Sequence, residues 1–342
     1  MVFYICPKCQ KKWQHPVGIC PFCFSDLERI KTSQTKVVAS SKVLIPNLLH
    51  PKIPYYALVV EDEKGMKYAY KSVQERKIGE EIIFKTAESD GAVAIWKAGY
   101  DLLDAVENIV ALLSNLKLNE KSKVVILPTL ISPVHNYFRD NTSTEFLSAI
   151  LEYLKSIKVK NIKVASQSLD DAPILGLAQK SGLSAVLAKS KIDLLDLAKT
   201  DFEERGKVKI SKEVINADLV INLSALKSGK GVSTDNLFRS IEKDNYLALK
   251  YLYGEDFIAK EVGKLDNVLT IGEAIHPQRS DKFSVFRSLV FASKNSANLD
   301  AVFNVTGMVS SLPKYLKEID VSKIEIVGRS ILEVERNINV VL

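Results

Sequence analysis

From residue 98 onward the chain alternates between two hydrophobic rhythms. Tyr100, Leu102, Leu103, Val106, Ile109, Val110, Leu113 and Leu116 recur every three or four positions, which predicts an amphipathic helix to about Leu118. KVVILP (Lys123 to Pro128) is a short, almost wholly apolar run, the pattern of a strand covered on both faces. Thr142 and Glu145 have the spacing of a capping box, opening a helix through Leu147, Ile150, Leu151 and Leu154. NIKVAS then reads as a strand, PILGLAQKSG as a helix closed by Gly182, and DLLDLAKTD as a further helix. DLVINLS, NVLTIGEA, LVFAS and KIEIVG complete a series of apolar strands between helices. This alternation predicts an α/β domain over residues 97–342 with a mainly parallel sheet.

Residues 35–96 have a different texture. VVASSKVLI is rich in β-branched residues, and IPNLLHPKIP interrupts it with three prolines that a central strand would not accept. YYALVVED and MKYAYKSV flank Glu63-Lys64-Gly65 as a hairpin, Lys77-Ile78-Gly79 leads into EEIIFK, and AVAIW supplies a last strand. Five short strands predict a small closed barrel of the OB type.

The first 34 residues have little to bury, and all four cysteines lie there, in two C-P-x-C turns. Cys6, Cys9, Cys20 and Cys23 have the spacing of a Cys₄ zinc ribbon, whose closed tetrahedral shell leaves no position for water and so marks a structural site. Iron in a rubredoxin-type shell is the runner-up, because spacing does not separate two sulfur-bound tetrahedral metals. His15, between the turns, reads as a surface histidine. The multi-domain expectation is therefore a ribbon (1–34), a barrel (35–96) and an α/β domain.

Composition narrows this only slightly. With 46% hydrophobic and 26% charged residues the chain is of ordinary globular type, and no run of about 18 apolar residues or signal-peptide pattern suggests a membrane or export. A cytoplasmic location is expected, and the lysine-rich composition suits a thermophilic archaeon. A net charge of +6 permits an anionic ligand such as a nucleotide, coenzyme A or nucleic acid.

In an open parallel sheet ligands bind beyond the carboxyl ends of the strands, so four loops are candidates. The first, residues 128–141, carries His135, Asn136 and Arg139 ahead of a helix start that suits an anion. The second, residues 224–235, combines Lys227, Gly229, Lys230, Gly231, Ser233 and Thr234, a mixture that suits phosphate although it is no Walker A loop. The third, residues 274–285, gathers His276, Arg279, Asp281 and Lys282, and the fourth pairs Asp170 with Asp171 at a helix start, where carboxylates usually cap backbone N–H groups.

Two stretches resemble known families. The order CPKC, CPFC, IPYYALVVED and KIGEEIIFK over residues 1 to about 96 resembles the rubredoxin-like zinc ribbon plus OB-fold proteins catalogued as domain of unknown function thirty-five. That resemblance implies a scaffold beside thiolases or related acyl-CoA enzymes, with a barrel that takes acyl-CoA. Residues 98 to 332, through KVVILP, EVINADLVINLSALKS, NVLTIGEA and LVFASKNSANLDAVFNVTGM, resemble domain of unknown function three-six-two, which has a lactate-racemase-like character. The chain departs from that pattern at Thr129, at Ser224-Ala225 and at Lys227-Ser228-Gly229, which lacks the usual histidine, and no cysteine remains for a cluster.

The leading expectation is a scaffold or ligand-binding protein of acyl-CoA metabolism whose α/β domain binds an anion. An enzyme acting on a small carboxylate or phosphorylated metabolite through His135, Lys227 and His276 is the second reading. Single-stranded nucleic acid binding through Tyr55, Tyr56, Tyr68 and Tyr70 is the third.

Overall fold

The computed structural model describes residues 2–336 except Pro16, Ser33, Leu48, Leu49, Pro51, Ser114, Asn115, Asp171, Ser280, Lys282 and Ser310. Near the N-terminus, β1 (Val2–Ile5) pairs antiparallel with β2 (Lys12–Trp13) and β3 (Glu28–Lys31). β4 (Thr35–Val43), β5 (Tyr55–Asp62) and β6 (Lys67–Ser72) follow as an antiparallel meander over a small core of Val37, Leu58, Val60 and Tyr70.

The expected five-stranded barrel is not what the hydrogen bonds describe. The EEIIFK segment runs briefly along β4, with Val37 N–H donating to the Glu80 carbonyl at 2.9 Å and Ile82 N–H to the Thr35 carbonyl at 3.0 Å around the Glu81–Lys36 bridge, but forms no strand longer than that bridge. AVAIW becomes β7 (Val93–Lys97), which lies in the large sheet and not beside β4 to β6. A boundary at residue 96 would therefore cut through a strand. Its Ala94 and Ile95 are fully buried between two layers, and that burial outweighs proximity in sequence.

The large sheet has eight strands: β7, β8 (Lys123–Pro128), β9 (Asn161–Ser166), β10 (Leu194–Asp196), β13 (Leu219–Lys227), β14 (Val268–Gln278), β15 (Leu289–Ser293) and β16 (Ile326–Gly328). Their order is β10-β9-β8-β13-β14-β15-β7-β16, with only the β14–β15 and β15–β7 pairs antiparallel, so the sheet is mainly parallel as expected. A separate hairpin, β11 (Phe202–Arg205) with β12 (Val208–Ser211), was not foreseen. DLLDLAKTD, expected to be helical, forms β10 and a short 3₁₀ turn whose start Asp196 caps.

β8 shows why such apolar runs become strands. Val124 and Ile126 enter the core on one face, with the helices Leu102–Leu112 and Thr144–Ser156, while Val125 and Leu127 enter the core on the other, with Lys243–Tyr253 and Glu255–Val262. Period-two alternation between two dry faces requires apolar residues at every position. At the far edge β16 sits tightly on β7. A Cβ at Gly328 (φ +79°) would lie 2.4 Å from the Ile95 carbonyl oxygen.

Asp101 joins the small N-terminal sheet to this body. Its carboxylate accepts from the Asp104 N–H as the cap of helix Leu102–Leu112, and from Tyr4 Oη (2.8 Å) and Arg29 Nε (2.6 Å). Among the described residues no helix is long and apolar enough to cross a membrane.

Candidate functional site

The four cysteines converge. Their sulfurs all lie within 4.8 Å of one another, with Cys6–Cys23 at 3.3 Å and Cys9–Cys20 at 3.5 Å, close to the edge of about 3.8 Å of a tetrahedron with 2.3 Å metal–sulfur bonds. None is in a disulfide. The two turns match: Gln10 N–H donates to the Cys6 carbonyl and Phe24 N–H to the Cys20 carbonyl, with Gln10 and Phe24 both left-handed. Cys6 and Cys20 are fully buried and Cys9 and Cys23 partly so, a donor set that fits a metal ion.

A cleft of about 740 Å³ opens where the ribbon, the meander and the large sheet meet. Trp96, Tyr100, Ile275 and Phe286 give it apolar walls, while Lys97, Arg139, His276 and Arg329 bring cationic or basic groups and Asp101, Asp104, Glu145 and Glu273 bring acids. Arg139 reaches it because the 3₁₀ turn Asn136–Phe138 ends there, in a left-handed conformation. Arg139 forms no ion pair among the described residues. His276 lies within β14, not in a loop after it, 5.1 Å ring to ring from Phe286. Burial, with the Arg139 charge adding, holds its imidazole toward the neutral form.

Glu273, three residues earlier on β14, had no sequence signal beyond its place in an apolar strand. It is buried, and its Oε2 accepts the N–H of Ser143, the cap of helix Thr144–Ser156. Burial drives its carboxyl above the ordinary range, against the pull of that hydrogen bond and of Arg139. The capping box expected at Thr142 does not form: the cap is Ser143, whose Oγ accepts from Phe146 N–H, while the Thr142 hydroxyl donates to the Leu223 carbonyl.

The glycine-rich second loop is differently occupied. The N–H groups of Ser233 and Thr234, expected to face a phosphate, donate to the Asp300 carboxylate at 3.0 and 2.9 Å, and the Thr234 hydroxyl joins them. Gly229 N–H donates to Asn304 Oδ1. Gly231 permits the close approach of Tyr315, whose Oη would lie 1.8 Å from a Cβ there. Burial raises Asp300 to about 7, opposed by the N–H groups it accepts from. The N–H groups of Gly229, Ser233 and Thr234 and the Thr234 hydroxyl are thus engaged within the chain, although the buried Ser233 Oγ has no partner among the described residues, and the expectation that these groups bind phosphate is corrected accordingly.

Lys227, at the end of β13, and Lys230 line a smaller cavity of about 170 Å³. Lys227 Nζ is 2.6 Å from Asp140 Oδ1; burial alone would raise that carboxyl, but Lys227 holds it below the usual range. The three catalytic candidates thus do not converge. His276 lines the cleft and Lys227 the small cavity, whereas His135 is exposed and its Nδ1 accepts the Tyr137 N–H as a turn cap. Asn136 pins the loop by donating to Thr144 Oγ1 and Glu145 Oε2. Arg279 pairs with Asp281 at 2.6 Å and lines neither space. Asp170 accepts from Ser168 Oγ and Ala172 N–H, while Asp171 and Lys282 lie outside the described residues. Of the four tyrosines, Tyr55 and Tyr70 are buried, and Tyr68 donates to Asp62.

Residues 124–233 match the profile of a family described as "Domain of unknown function (DUF362)", the stretch from β8 to the start of the helix Val232–Leu237. A solved chain titled "Ltp2-ChsH2(DUF35) aldolase" is 21% identical, over 26% of this chain and 76% of that one, with a TM-score of 0.22. That score is too low to establish a shared fold. No curated protein matches the chain.

Proposed function

We propose that the protein binds an organic anion with an apolar body in the cleft beside β14, with acyl-CoA the ligand class and a thiolase-type enzyme the partner, while zinc fills the cysteine shell. The observation that carries the reading is the union of Arg139, which has no described ion-pair partner, with His276 and the aromatic walls of Trp96, Tyr100 and Phe286 in one cleft of about 740 Å³. That size lies in the range of ligand pockets, roughly 300 to 1,000 Å³, and a few charged groups among apolar walls is their usual chemistry. Acyl-CoA is favoured over other anions because residues 1 to 96 resemble acyl-CoA-associated scaffolds. Calorimetric titration with acetyl-CoA and longer acyl-CoAs tests it. Saturable binding that Arg139→Ala weakens at least tenfold supports the reading, and the absence of binding to any acyl-CoA overturns it. Capture of a thiolase-type enzyme from the native cells tests the partner separately.

Glu273 favours a second reading. A carboxyl pushed toward its acid form and an imidazole pushed toward its base form, on one strand and in one cleft, are the halves of a proton-transfer pair for a small carboxylate substrate. Turnover of such a substrate that Glu273→Gln abolishes, with the fold intact, would establish catalysis; turnover indifferent to that change would exclude this pair.

A further inference from the structure

We propose that the cavity beyond the ends of β8 and β13 is a second binding site, for a small tetrahedral oxyanion of the class represented by phosphate and sulfate. The cavity, of about 170 Å³, is lined by Thr129, Lys227, Lys230, Asp235, Asn236 and Arg239, among others. One water needs only roughly 10 to 15 Å³ of such space, so there is room for a compact polyatomic ion.

Cationic groups outnumber acids on its wall. Lys227 is engaged by Asp140, but Lys230 and Arg239 form no ion pair among the described residues. One N–H of the Arg239 guanidinium donates to the Gln167 carbonyl at 2.8 Å, and its other donors have no described protein acceptor. An anion placed there receives charge-assisted hydrogen bonds.

Asn236 stands behind this wall: it is 3% exposed, and its Nδ2 donates to the Leu127 carbonyl at 2.9 Å and to Asn222 Oδ1 at 2.8 Å. Asp235, the acid of the lining, itself receives the Tyr315 hydroxyl at 3.0 Å. The N–H groups of Gly229, Ser233 and Thr234 take no part, because Asn304 and Asp300 already hold them. Recognition by side-chain cations separates this site from a phosphate-binding loop, and it is independent of the large cleft.

Phosphate and sulfate have the same tetrahedral shape, so either ion probes the site. Titration calorimetry of the protein at pH 7 with inorganic phosphate and with sulfate reads the assignment directly. The expected result is saturable binding of both ions and a roughly tenfold loss of affinity in Lys230→Ala, whose side chain is at the surface and whose replacement leaves the fold intact. Arg239→Lys, checked by circular dichroism, should weaken both ions as well, while acyl-CoA titrations of both variants stay unchanged. No saturable binding of either ion, or an unaltered affinity in Lys230→Ala, would each overturn the assignment.

Discussion

The cysteine ribbon and the glycine-rich loop at Gly229 to Thr234 are both short segments that gather groups in need of a counter-charge, and they meet that need in opposite ways. In the ribbon, four sulfurs face one another as a set that could hold a metal ion, so the expected partner comes from outside the chain. In the loop, the N–H groups of Ser233 and Thr234 that look ready for a phosphate are completed from inside, by the Asp300 carboxylate of the helix Ser296–Thr306. A motif displays the donors of a site. Whether the acceptor is a ligand or another part of the same chain is a property of the tertiary structure.

The largest effect expected along this line comes from the ribbon. Stripping the metal with a strong chelator, or Cys20→Ser, should unfold the β1–β3 sheet by removing much of the roughly 10 to 16 kcal/mol that a structural zinc contributes. Thermal melts monitored by circular dichroism check this, and a melt indifferent to chelation would break the contrast. Next in size, Asp300→Ala should cost about 3 kcal/mol or more, because it strands two buried N–H groups and the Thr234 hydroxyl. Chemical denaturation should show Asp300→Asn, which keeps one acceptor oxygen, to be milder.

Gly231→Ala should cost about 1 to 3 kcal/mol by pressing a methyl group into Tyr315, and Tyr315→Phe in the same background should recover part of the loss. The smallest effect is with pH. Since the folded state holds the Asp300 proton to about 7 while the unfolded chain releases it near the ordinary aspartate value, the contribution of this group to stability is greatest in acid and is lost as pH rises through 7. About 1 kcal/mol should disappear between pH 6 and 8, and denaturation curves of Asp300→Asn should show a flatter dependence. Asp235, raised to about 6 chiefly by burial, adds a contribution of the same sign at slightly lower pH.

The large sheet was legible because its strands are written in local apolar runs: KVVILP, NIKVAS, DLVINLS and LVFAS all became strands. The ribbon was legible because ligand spacing is local too. AVAIW was recognised as a strand but assigned to the wrong sheet, since a five-residue apolar run carries no record of its partners. DLLDLAKTD misled because its leucines, at helical spacing, were taken up by the parallel pairing of β10 with β9. At the candidate sites Arg139 and His276 were found from their loops, whereas Glu273, Asp300 and Asn236 were not. A buried polar residue within an apolar strand or helix looks like one on the solvent face until the other side of the contact is known.

The position of β7 also bears on how the chain assembles. Ala94 of β7 faces Ala292 on one side and Val327 on the other, so neither neighbour exists until a long stretch of chain has followed β7. During translation β7 is therefore an apolar segment waiting for both of its partners, and closing so long a loop makes the pairing of β15, β7 and β16 a late event. Any shortened chain that begins after Lys97 loses the strand between two others and exposes two facing edges, which makes aggregation the expected fate of that fragment.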